Sequence, residues 1–108
     1  MHERTVRLLQ ESKARVERGW TQVVMARDAA GGLVAAWSEH AVCWCALGAL
    51  RAGSLDSSVA EMFLSRALPA EAMRENVAAW QDEPGRQKEE VVALFDRAIE
   101  IAVAECAP

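Results

Sequence analysis

The chain has no tyrosine, only two phenylalanines and three prolines, and its 12 Lys and Arg residues are outnumbered by 16 Asp and Glu. A formal net charge of −4 argues against the clustered basic face that a phosphate backbone demands, so no nucleic-acid partner is expected. Three cysteines form no even disulfide framework, and Met1 is followed by His2, Glu3 and Arg4 rather than by a basic, apolar leader. These features predict a cytoplasmic chain with reduced thiols. The longest apolar run, Ala41 to Leu50, falls far short of the roughly 20 residues of a membrane-spanning helix, and no membrane role follows. A Gly-rich phosphate loop, a zinc-protease helix motif and a nucleophile elbow are also missing, which disfavours an enzyme.

What is present is 108 residues, 52% of them hydrophobic, with much of that share in alanine, and four tryptophans. This length suits one domain, residues 1–108, with a single core. Alanine favours helices and buries little area, so the composition predicts a mainly α fold with close-packed helices. Periodicity predicts a compact bundle of about five helices, with a short β-hairpin or extended loop between helices 1 and 2.

Val6, Leu9 and Val16 recur at helical spacing from Glu3 to Arg18, and Gly19 stands where a helix commonly ends. Trp20 then caps the core. Val23 to Met25 and Leu33-Val34 flank Asp28-Ala29-Ala30-Gly31-Gly32, whose residues supply turn chemistry. Ser38 is the predicted N-cap of a buried central helix from Glu39 to about Ala52, in which Gly48 implies a close neighbouring backbone or ligand. A third helix is predicted from Ser58, in capping-box spacing with Glu61, to about Ala67. The fourth runs over Ala70 to Trp80, with Met73, Val77 and Trp80 on one stripe. Glu83-Pro84-Gly85-Arg86 has the residues of a type II turn. The last helix, about Gln87 to Glu105, has an apolar stripe widened by Val92, Ile99 and Val103, so it either sits deep or meets a partner.

Trp20, Gln22 and Ala26-Arg27-Asp28, then Ala41-Val42-Cys43-Trp44-Cys45 with Gly48-Ala49-Leu50, form a distinctive pattern. It continues through Trp80 with Asp82, Gly85-Arg86 and Phe95-Asp96-Arg97-Ala98-Ile99. In these positions the chain resembles a family of small bacterial and phage domains of unknown function, along nearly its whole length. The resemblance implies no activity. It departs from the pattern at Val23, where relatives usually have Gly, at Gln81, where they have Asn, and at Gln87, where Thr is frequent.

His40-x-x-Cys43-x-Cys45 invites a zinc reading, but on the predicted helix Cys43 and Cys45 diverge by about 200°, and a fourth ligand is missing. Cys43 has Glu39 and His40 nearby, a poor activating set that favours a structural cysteine over a reactive thiol, and His40 lacks a visible orienting partner for general-base work. No metal or cofactor is implied. Trp20, Gln22, Arg27, Asp28, Trp80, Asp82 and Arg86 form the remaining candidate site, because aromatic walls with loop polar groups make pockets and protein-binding hot spots. Alternatively, these groups close turns and satisfy one another. The favoured function is a noncatalytic protein-interaction or regulatory domain that binds a protein partner or itself as a homodimer. A small-molecule binder or small enzyme with a Trp-lined polar pocket is the first alternative. An inhibitor of a host defence or transcription protein, implied only by the phage side of the resemblance, is the second.

Overall fold

Helix α1 spans Glu3–Arg18 in the computed structural model of the chain, which describes residues 2–72 and 76–106. Its buried residues Leu8, Leu9, Ser12 and Val16 share one face, as the 3.6-residue period requires. The last helix, α5, spans Lys88–Cys106 and packs along α1. Their contacts run antiparallel: His2 lies 3.8 Å from Glu105, Lys13 2.7 Å from Asp96, and Lys88 Nζ donates to the Glu17 carbonyl at 3.1 Å. Leu9, Val16, Val91, Leu94, Phe95 and Ala98 are completely buried in the core. Each of the larger side chains contributes about 1.5–3 kcal/mol by leaving water.

Helix α2, Ala46–Gly53, docks on α1 through a polar contact as well as an apolar one. The Ser12 hydroxyl and the Arg15 guanidinium both donate to the Ala49 carbonyl, at 3.1 and 2.8 Å. Helix α3, Ser58–Arg66, packs on α5 and brings Phe63 and Leu64 into the core. Arg97 Nε reaches the Ala67 carbonyl just past its end, at 3.0 Å, where a cation suits the helix dipole. A 3₁₀ turn at Ala70–Ala72 and a short helix α4, Val77–Gln81, complete the bundle. The mainly helical class with a short antiparallel strand pair between α1 and α2 thus agrees with the sequence reading.

Several boundaries differ. The central helix does not run from Glu39; its first seven predicted positions are loop and strand, and Ser38 caps nothing helical. The Ser38 hydroxyl instead accepts the His40 N–H in a turn. Strand β2, Cys43–Trp44, pairs antiparallel with β1, Ala26–Arg27. Trp44 N–H donates to Gly19, Trp44 C=O accepts from Thr21, and Cys45 N–H donates to Met25. Those long-range bonds override the helical pattern. The α2 N-cap is Cys45, whose sulfur accepts the Gly48 N–H at 3.2 Å. The hairpin expected around the Asp28 turn is shorter than its sequence suggested: Asp28 N–H donates to Gly32 C=O at 2.9 Å and Val34 N–H to Ala26 C=O at 3.3 Å, Leu33 bridges Arg27, and Val23 to Met25 lie outside the strands. At α3 the cap residue is Ser57, one earlier than predicted, with its hydroxyl on Glu61 at 2.8 Å. The fourth helix is a 3₁₀ turn and a later α-helix rather than one piece; Met73 of its predicted stripe lies outside the described residues.

Gly85 does adopt φ +89°, and Arg86 N–H closes the turn onto Glu83 C=O at 3.0 Å, as a type II turn needs. Gly48 has the close backbone neighbour that the sequence implied: a Cβ there would stand 2.0 Å from the Met25 carbonyl oxygen. That oxygen belongs to main chain held by the Cys45 N–H and cannot yield cheaply. Gly48→Ala is therefore expected to destabilise the protein by about 3 kcal/mol or more, above the usual helix gain from alanine. Urea denaturation checks this, and a wild-type midpoint would refute the packing argument.

Candidate functional site around Gln81

The loop following α1 is short of main-chain partners, and α2 begins with N–H groups that no helical carbonyl can reach. One side chain answers both needs. Gln81, the last residue of α4, is 1% exposed. Its Oε1 accepts from Trp20 Nε1 at 2.6 Å and from the Ala46 N–H at 3.1 Å. Its Nε2 donates to the Thr21 carbonyl at 3.2 Å and to Asp82 Oδ1 at 2.7 Å. Both lone pairs and both N–H groups of the carboxamide are used, which is its full capacity.

The other predicted site residues are arranged around this group. Gln22 Nε2 donates to the Gln81 and Glu83 carbonyls at 2.9 and 3.0 Å, and Asp82 Oδ1 also accepts the Val23 N–H at 2.8 Å. Arg27 joins indirectly, through Nε on the Thr21 hydroxyl at 3.1 Å, and its Nη1 donates to the Gly31 carbonyl. Arg86 lies with its guanidinium 4.0 Å from the centroid of the Trp80 ring, donates to the Trp80 carbonyl at 2.9 Å and pairs with Glu90 at 3.0 Å. Asp28 stands apart from Gln81: its carboxylate accepts the Ala30 and Gly32 N–H groups and closes its own turn. The convergence of Trp20, Gln22 and Asp82 thus makes a joint between α4 and the segment after α1. Among the described residues, no buried side-chain nitrogen or oxygen lacks a partner. A cleft of about 480 Å³ lies elsewhere, beside α1.

Gln81 itself was not among the candidate residues. No local spacing singles it out, although its carboxamide reaches four partners at once. Val23 adopts φ +78°, a left-handed conformation that suits glycine. For a β-branched residue this costs about 1–2 kcal/mol. At Gln87 half a capping box is made, since Glu90 Oε1 accepts the Gln87 N–H at 2.8 Å. That bond, followed by Arg86, holds the Glu90 carboxyl below its ordinary range.

Cys45 is buried as the α2 cap, and burial pushes its thiol up despite the Gly48 N–H. His40 is exposed against Glu39, and among the described residues no three His, Cys, Asp or Glu side chains are grouped to hold a metal.

Fold and site together define a small, mainly helical domain in which the polar tryptophan-rich constellation is an internal joint. The chain belongs to DUF6197, a family of unknown function, whose profile matches residues 1–101. Neither a curated protein nor a solved structure matches it.

Gln81→Leu leaves Trp20 Nε1, Ala46 N–H and Thr21 C=O without their partner; a loss of about 3 kcal/mol or more is expected, at 1–3 kcal/mol per unsatisfied buried group. Val23→Gly should act in the opposite direction, raising stability by up to about 1 kcal/mol after glycine's own entropic cost. Urea midpoints test both, and a destabilised Val23→Gly would remove strain from the account. Because Glu90 has a lowered folded-state pKa, its contribution is present above the ordinary glutamate value and is lost as pH falls through the lowered one. Glu90→Gln should therefore show a shallower acid-side decline in thermal midpoint than wild type; equal slopes would contradict the assignment.

Proposed function

We propose that the protein is a noncatalytic interaction domain that offers the turn around Trp37 to a protein partner, a second copy of the chain included. The observation that carries this reading is a tryptophan 66% exposed, flanked by Leu33 at 69% and Val42 at 48% exposure. Leaving a side chain of this size in water forfeits apolar burial, whereas burial against a partner recovers it. The presentation is stiff. Ala36, just before it, is buried, and its carbonyl accepts the Trp44 indole N–H at 3.0 Å. Ser38 N–H donates to Ala35 and Ala41 N–H to Ser38, so the turn bearing Trp37 is closed on both sides. A main chain held this way loses little freedom on docking, which favours a hot spot.

The wide face of α5 gives less support to self-association than its sequence suggested. Val92 and Ile99 pack against the core, and Val103 is the half-exposed member of that group. The Trp-lined polar pocket also has less support, because Gln22 and Asp82 are bonded at the Gln81 joint and Arg27, Asp28 and Arg86 are engaged with their own neighbours. Among the described residues, Trp37 is the tryptophan left exposed.

A photo-crosslinking residue, p-benzoylphenylalanine, in place of Trp37 tests the proposal in producing cells. One discrete adduct is expected, at twice the chain mass for a homodimer or at another mass for a different partner. The same residue at exposed Glu100 should give none. Trp37→Ala should weaken the recovered complex about thirtyfold or more, in keeping with the roughly 2 kcal/mol of a hot spot. Its folding stability should change by less than about 0.5 kcal/mol, as for an exposed residue. Identical labelling from positions 37 and 100 would sink the reading.

A further inference from the structure

The cleft of about 480 Å³ lies between the first turns of α1 and the segment joining α2 to α3, remote in sequence from the Trp37 turn. Arg4, Arg7 and Leu8 line one side, and Ser54, Asp56 and Val59 the other. Its charged groups are unequally engaged. The Asp56 carboxylate accepts both the Ser58 hydroxyl, at 2.9 Å, and the Ser58 N–H, and these bonds hold its carboxyl below the ordinary range. Glu11, also on the wall, stands one helical turn before Arg15. Arg4 and Arg7 take part in no ion pair among the described residues.

Three residues apart on one helix, Arg4 and Arg7 are neighbours whose guanidinium groups can close on one oxyanion. They also lie in the first two turns of a 16-residue helix, whose dipole favours negative charge there. Opposite them, Val59 is partly exposed and offers, with Leu8, an apolar strip that carries no charge to repel a hydrocarbon portion. The cleft is of a size that suits a small ligand.

We infer that this cleft binds a small organic anion, with its carboxylate or phosphate between Arg4 and Arg7 and a short aliphatic portion along Leu8 and Val59. The site is independent of the Trp37 surface, and either can fail without the other.

Titration of the ¹⁵N-labelled full chain with sodium butyrate and, separately, with butyl phosphate tests it, at ionic strength held constant with sodium chloride. Saturable shifts are expected at the amides of residues 4–11 and 53–60 with at least one ligand, and the ligand that saturates identifies the head group. Arg4→Gln/Arg7→Gln should weaken that binding about tenfold or more, with the remaining spectrum unchanged because both side chains are exposed. The single Arg7→Gln variant gives the same reading should the double variant lose structure. Failure of both ligands to saturate, saturation that survives loss of the arginines, or shifts spread evenly over the basic residues would overturn the assignment.

Discussion

A carboxamide buried in an apolar interior costs several kcal/mol unless its hydrogen bonds are replaced, and Gln81 replaces all of them. Its partners come from three places in the chain: the loop after α1, the first turn of α2, and α4 itself. Much of the non-helical part depends on this arrangement. Trp20 and Thr21 are fixed by it, and through them the bonds that Gly19 and Thr21 make with Trp44 hold β2 in place. The start of α2 is satisfied by the same oxygen that holds the Trp20 indole. A chain with little β structure and a loop of this length would otherwise have many main-chain groups to leave in water.

The joint also separates two kinds of polar residue. Gln22, Arg27, Asp28, Asp82 and Arg86 have the composition of a binding site, yet each is engaged with main chain, with another side chain or with an aromatic face. A ligand at these groups would have to compete with bonds already formed inside the fold. The groups left over are different in character. Trp37 stands on a turn whose neighbours are anchored, and Arg4 and Arg7 stand over a cleft in which Asp56 is already bonded to Ser58. The rigid joint and the presented surface are therefore complementary: saturation of the first makes it a support, and incomplete burial or pairing of the second leaves capacity for contact.

The parts of the fold legible beforehand are those governed by local rules. α1 and α5 follow a sustained 3.6-residue pattern, and Pro84-Gly85 supplies the backbone angles of its own turn. Gly48 was legible for a related reason, since glycine inside an apolar helix signals a neighbour too close for a Cβ. The segment from Glu39 to Cys45 was not. Its apolar run suits a helix or a buried strand equally well, and the choice rests on Gly19, Thr21 and Met25, which lie about 20 residues away. The candidate site was half legible: Trp20, Gln22 and Asp82 do meet, but the glutamine on which they meet has no distinguishing local pattern.

By itself the sequence determined the mainly helical class, the long outer helices, the turns and the concentration of polar groups near Trp20 and Trp80. Each of these follows from residue spacing or backbone preference within a few positions. Tertiary structure decided that β2 replaces the beginning of the central helix, that Gln81 is the common partner, and that Trp37 rather than Trp20 or Trp80 faces water. Burial and hydrogen-bond saturation are properties of residues brought together from distant parts of the chain. The tryptophans share one chemistry, and only their surroundings distinguish a side chain that closes the fold from one left to meet something else.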